Sequence, residues 1–251
     1  MTHKPKTIAL ITGASHPRDI GTAICRKFAS QGIDIFFTHW NSDVGWIEKF
    51  QQEITNTGVF CENLKIDLSD EMAAFTILDT AQTKLGFPSI LINNAAHSTR
   101  DGYLELDAKS LNEHYAVNMR STFLLCVEYA RRFEKSNLNT GRIINMTSGQ
   151  ELGPMPGELA YAATKGAIAA FTRSISIELA PLGITVNAIN PGPTDSTWMN
   201  DQIREYLLPK FPMGRIGLPE DVARIIAFLA SDEAKWITGQ IINSEGGFIR
   251  G

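Results

Sequence analysis

The chain has 251 residues, 43% of them hydrophobic and 20% charged, with a formal net charge of −4. That length suffices for one α/β domain with a substantial core, and the absence of a basic block argues against a nucleic-acid-binding stripe. Cys25, Cys61 and Cys126 are widely spaced with no CxxC or Cys/His cluster, so no disulfide framework and no metal site are expected, and a reduced, cytoplasmic setting fits. Residues 1–6 are polar, without the apolar core of a signal peptide, and no apolar run reaches membrane-span length.

In chain order, 7–12 (TIALIT) reads as a buried strand ending at Gly13. Residues 20–31 carry Ile20, Ala23, Ile24 and Phe28 at helical spacing, and Gly32 ends that helix. A second strand at 33–38 precedes a helix over 43–57, stopped by Gly58, and a third strand covers 59–67. The polar run 67–71 opens the next helix at Ser69 or Asp70, followed by a strand at 89–93 and one long helix over 111–134. Strand 142–146, helix 159–180 and strand 184–189 come next. The Pro- and Gly-rich stretch 190–218 separates them from a helix at 219–230 and a last short strand at 240–243. Alternating strands and helices predict a doubly wound parallel sheet covered on both faces, with no linker that would split it. Ligands of such sheets sit at the carboxyl ends of the strands.

Just after the first strand stand Thr12-Gly13-Ala14-Ser15, and Ile20-Gly21 opens the helix. Glycines there let backbone approach a pyrophosphate at a helix N-terminus, although the same residues also suit a plain turn. The spacing departs from GxGxxG: Gly13 and Gly21 lack a middle glycine. Strand two ends Thr38-His39-Trp40-Asn41, without the carboxylate that usually holds the ribose of NAD. NADP is therefore expected, with His16 and Arg18 as candidate cations for its extra phosphate. Tyr161 and Lys165, four apart on a helix, share one face, and Ser148 follows strand five.

In combination these residues resemble the short-chain dehydrogenase/reductase family over nearly the whole chain. The resemblance rests on Thr12-Gly13-Ala14-Ser15 with Ile20-Gly21, Asp67-Leu68, Asn93-Asn94-Ala95-Ala96, Asn118, Ser148, Tyr161-Ala-Ala-Thr-Lys165 and Asn190-Pro191-Gly192. The run 229–232 with 237–240 and Gly246-Gly247 is likewise typical, and within the family the chain is similar to 3-oxoacyl-acyl-carrier-protein reductases. Two departures stand out: the glycine loop has about two extra residues, with Asp19 where glycine is usual, and Ala96 replaces the glycine of Asn-Asn-Ala-Gly.

The resemblance implies a single Rossmann-type domain over 1–251, of about seven strands, reducing a carbonyl with NADPH. A lone tyrosine, with a pKa of roughly 10, is a poor base at neutral pH, so Lys165 is expected to lower that of Tyr161. Tyr161 is then the acid/base, Ser148 a donor to the substrate oxygen, Lys165 a second contact on the nicotinamide ribose, and Asn118 the holder of a proton-relaying water. Gly13, Ser15, Ile20, Gly21, Asp67, Leu68, Asn94, Ala95, Pro191, Gly192 and Thr194 are implied cofactor contacts. In the family, 193–218 is a lid; its Trp198, Met199, Tyr206, Leu207, Leu208, Phe211 and Met213 suit either an apolar lid over a greasy substrate or a satellite core or subunit contact. A homotetramer built on the two long helices and the C-terminal strand is also implied. The rival readings are an NAD-dependent alcohol or sugar dehydrogenase and a non-catalytic nucleotide sensor on the same fold.

Overall fold

The computed structural model describes residues 7–250; residues 1–6, read above as polar, lie outside them. Seven parallel strands form one sheet in the order β3-β2-β1-β4-β5-β6-β7. They are β1 (Ile8–Ile11), β2 (Asp34–His39), β3 (Cys61–Lys65), β4 (Ile90–Asn93), β5 (Gly141–Met146), β6 (Ile184–Asn190) and β7 (Ile241–Asn243). The order reverses between β1 and β4, which opens a crevice at their carboxyl ends.

Both faces are covered, and the two-residue period of the strands decides which side chain goes where. Ala9, Ile11, Ile35, Phe37, Ile90 and Ile92 pack on one face against α1 (Ile20–Ala29), α2 (Val44–Thr55) and α8 (Pro219–Ala230). Leu10, Phe36, Leu91 and Ile143 pack on the other against α3 (Ala73–Lys84), α5 (Ser121–Phe133) and α6 (Leu159–Leu179). The central strands wrapped in this way, such as β1 (IALI) and β4 (ILIN), read as short apolar runs in the sequence, whereas the edge strand β3 (CENLK) is largely polar.

Local side-chain chemistry moves several boundaries. Asp43 lies outside α2 as its cap, its carboxylate accepting from Trp46 N at 2.8 Å. α3 begins at Ala73 rather than near Ser69, because Asp67 and Asp70 accept from Ser69 N and Met72 N, each at 2.8 Å. Such turns compete with helix. The single helix expected over 111–134 is three pieces: α4 (Ala108–His114), a π-helical turn (Tyr115–Arg120), and α5. Stretch 193–218 holds α7 (Asp201–Leu207), whose cap Asn200 accepts from Ile203 N at 2.9 Å. Met199, Leu207, Phe211 and Ile216 there form a small core of their own, with Ile203 and Phe248 against it. Of the two readings of this stretch, the satellite core accounts for Met199, Leu207 and Phe211, while Trp198 and Ile203 line the cavity.

Candidate active site

A cavity of about 1060 Å³ occupies the crevice. Its nucleotide-side wall starts at Gly13, whose φ of +76° and close approach to Ala95 exclude a side chain; an added Cβ would fall 2.7 Å from Ala95 Cα. Gly21 serves packing rather than lining: a Cβ there would meet Gly13 O at 2.3 Å. Asn94 Nδ2 donates to Thr12 O and Gly13 O, both at 2.9 Å, and Thr12 Oγ1 accepts from Asn94 N and Ala95 N, both at 3.1 Å. These bonds rivet the loop after β4 to the loop after β1. Gly13, Ser15, Ile20, Asp67, Leu68, Asn94, Ala95, Pro191, Gly192 and Thr194 all line the cavity.

His16 and Arg18 do not line it. His16 Nδ1 accepts from Arg18 N at 3.2 Å, while its carbonyl takes Thr22 Oγ1 at 2.8 Å. The Arg18 guanidinium turns to Asp195 Oδ1 at 2.9 Å and Ser196 O at 2.8 Å, so it is spent on protein partners. Next to it, Asp19 caps no helix N–H with its side chain and instead accepts from Ser15 N at 3.1 Å. Desolvation raises the pKa of Asp19 above the ordinary carboxylate value. Near the end of β2 the Lys65 ammonium lies 5.7 Å from the ring centroid of Trp40, which lines the cavity although Lys65 itself does not. Pairing of His39 with Lys65 across β2 and β3 is what brings it there.

Opposite stands the chemical end, where Ser148, Tyr161 and Lys165 line the same cavity. Helix α6 presents Tyr161 and Lys165 one turn apart, with the ammonium 5.5 Å from the tyrosine ring centroid. Lys165 is 2% exposed and donates to Met146 O at 2.8 Å. Burial lowers its pKa to about 8. Burial also dominates at Tyr161, raising its pKa to about 12 against the opposing pull of a Ser148 hydrogen bond. That corrects the expectation of a lowered tyrosine: in the protein alone, the phenol keeps its proton. Asn118 sits in the π-turn behind the wall, fully buried and away from the cavity. Its amide clamps the backbone of His97 (N to Oδ1 2.7 Å, Nδ2 to O 2.9 Å) and reaches Thr164 Oγ1 at 3.1 Å.

Three supports escaped the sequence reading. Asp101, 8% exposed, caps α6 through Leu159 N at 2.6 Å and Ala160 N at 2.9 Å. Arg250 and Glu245 form a C-terminal ion pair beside Gly149 and Gly192. No local pattern could announce the Asp101 cap, because its partners lie 58 and 59 residues away. Around the chemical end the wall mixes charged and polar residues, among them His97, Arg100, Glu113, Glu158 and Arg250, with apolar Val117, Pro154, Met155, Trp198 and Phe248. Among the described residues no group of His, Cys, Asp and Glu is placed to hold a metal, and no helix is long and apolar enough to cross a membrane.

A family model described as enoyl-(acyl carrier protein) reductase matches residues 13–249. The chain is 78% identical over 251 residues to the "uncharacterized oxidoreductase YjdA" of Bacillus subtilis (strain 168), covering 100% of both. It is 32% identical over 244 residues to the 3-oxoacyl-[acyl-carrier-protein] reductase FabG of Aquifex aeolicus (strain VF5), covering 96% of each. A solved blue fluorescent protein from a metagenomic library, in complex with NADPH, superposes with a TM-score of 0.88 at 28% identity, over 97% of this chain and 98% of that one. Sheet, site and relatives define an NAD(P)-dependent oxidoreductase on a doubly wound fold. The chain belongs to the short-chain dehydrogenase/reductase family.

Proposed function

We propose that the protein reduces a carbonyl to an alcohol with NADPH, Tyr161 giving the proton. The observation that carries this reading is the arrangement of Tyr161, Lys165 and Ser148 on one cavity wall, with the lysine buried. A bound nicotinamide would supply the hydride. A carbonyl gaining hydride develops negative charge on its oxygen. The Ser148 hydroxyl donates to that oxygen, and Tyr161 transfers its proton there. A phenol whose pKa stands at about 12 is protonated at neutral pH, which suits donation. Lys165, an ammonium below its pKa of about 8, steadies the phenolate left behind and restores its proton. Asn118 acts from behind, holding His97 on one side and Thr164, the neighbour of Lys165, on the other; the water relay to Lys165 that the family resemblance implies would then be served from its backbone, since its amide is taken.

For the cofactor, Gly13, Ser15, Ile20, Asn94 and Ala95 form a cradle without room for side chains at Gly13, which fits a pyrophosphate. Asp67 and Leu68 flank the adenine, and Pro191, Gly192 and Thr194 face the nicotinamide. Lys65, held over Trp40 at the cavity edge, is the nearest further candidate for the cation that meets an extra phosphate, alongside His16 and Arg18. The substrate is a short carbonyl compound, a short 3-oxoacyl thioester being the first to try, given the FabG relatives. The test is absorbance loss of NADPH and, separately, of NADH with that thioester and a panel of small ketones. Turnover with NADPH and its loss in Tyr161→Phe support the reading; cofactor binding without turnover of any carbonyl favours the nucleotide-sensor alternative. We also propose a homotetramer, supported by the exposed Leu111, Tyr115, Leu124 and Ile177 on α4 to α6.

A further inference from the structure

The loop after β1 puts Arg18 beside the stretch that closes the other side of the cavity. Its guanidinium donates to Asp195 Oδ1 at 2.9 Å and to Ser196 O at 2.8 Å, bridging 177 positions of sequence. One residue on, Thr197 Oγ1 donates to Asp19 Oδ1 at 3.4 Å. Asp195 is itself held from behind, its carboxylate receiving Arg204 Nε at 2.8 Å and Nη2 at 2.9 Å. The backbone of Asp195 is tied to Gly217 O at 2.8 Å. Segment 194–198 is thus anchored on one side to Gly217 and α7, and on the other to the phosphate loop. Ser15 and Asp19 line the cavity from one side, Thr194, Ser196 and Trp198 from the other.

We propose that Arg18 and Asp195 are a clasp fastening segment 194–198 to the phosphate loop across the cofactor cavity, so that nucleotide exchange requires this ion pair to part. The inference rests on the reading of the cavity as a dinucleotide site, and it gives Arg18 a positioning role in place of a phosphate contact. Nothing in the clasp touches the reacting atoms. It therefore acts on cofactor release and on how firmly the substrate-side wall is held, leaving proton transfer alone. Both partners are partly exposed, at 50% and 22%, so the effect is modest: exposed ion pairs contribute up to about 1 kcal/mol, or roughly five-fold in a rate.

Stopped-flow nucleotide fluorescence on the purified full chain tests it. Arg18→Met and Asp195→Asn are each expected to speed dissociation of NADPH and of NADH alike, by about two- to five-fold, and the double variant no further than the stronger single one. A loss confined to NADPH in Arg18→Met, with Asp195→Asn unaffected, would overturn the clasp and return Arg18 to the phosphate. Unchanged dissociation in both variants would also overturn it. A wild type that binds neither nucleotide would instead sink the dinucleotide reading, and the clasp with it. A structural readout needs no cofactor: Arg18→Met, with an unchanged thermal midpoint, should be cut faster by trypsin after Arg204, Lys210 or Arg215. Equal cleavage rates count against the clasp.

Discussion

The chemical end turns on two buried groups with opposed pKa shifts. Tyr161→Phe removes the proton donor while keeping the ring that packs there. Turnover should fall by about 10²–10⁴-fold, with NADPH binding by fluorescence titration nearly unchanged; wild-type turnover in that variant would remove Tyr161 from the mechanism. Lys165 makes a sharper prediction about stability. Its pKa in the folded protein is about 8 against an ordinary 10.5, so between those values the unfolded chain binds more protons than the folded one. Stability must rise with pH across that window, and below it the full cost of burying the charge is present. That cost corresponds to about 3 kcal/mol, partly offset by the bond to Met146 O. Lys165→Met should therefore be inactive yet more stable at pH 7, with the gain shrinking towards pH 10. Urea unfolding at the two pH values reads it directly, and a variant less stable at pH 7 would mean the Met146 bond outweighs burial.

At the scale of elements, α6 delivers Tyr161 and Lys165, and its first turn depends on Asp101. That carboxylate answers two N–H groups of the helix start from a loop 58 residues earlier. Asp101→Ala should cost about 1–2 kcal/mol of stability and lower kcat more than it raises KM, because Tyr161 lies just inside the loosened turn. Asp101→Asn, which keeps one acceptor, should recover part of both. The contrast explains what could be read beforehand. Strands were legible because both faces of the sheet are covered, leaving apolar runs; Tyr161 and Lys165 were legible because a spacing of four fixes a shared helix face. The π-turn at Tyr115–Arg120 was not, since one extra residue per turn leaves no mark on a helical pattern. Helix α7 hid in a Pro- and Gly-rich stretch, and its apolar side chains proved to serve a satellite core. The Arg18–Asp195 pair was not legible either, since its partners stand 177 residues apart in sequence.

Across the whole molecule, the C-terminus closes back on the site, and two glycines make room for it. Arg250 pairs with Glu245, Nη1 to Oε2 at 2.9 Å, and Glu245 Oε1 also accepts from Asn190 Nδ2 at 2.8 Å. A Cβ on Gly149, the residue after Ser148, would fall 2.4 Å from Arg250 Nη2; one on Gly192 would fall 2.8 Å from Glu245 Cγ. The ion pair thus braces the loop carrying Ser148 against the loop carrying Pro191 and Gly192. Glu245 is 7% exposed at its side chain, so removing Arg250 strands a buried carboxylate at a cost of about 1–3 kcal/mol. Gly149→Ala probes the same brace without deleting a charge: the group it displaces is the tip of a flexible side chain, so the fold survives while Arg250 swings out. Arg250→Met and Gly149→Ala should each lower kcat/KM several-fold, and the double variant should lose little more than either, since residues sharing one contact are not additive. Adding Glu245→Gln to Arg250→Met should restore stability by removing the stranded charge, but not activity. Full additivity of Gly149→Ala and Arg250→Met would mean the C-terminus and the Ser148 loop act independently, and that the brace plays no part in holding the site.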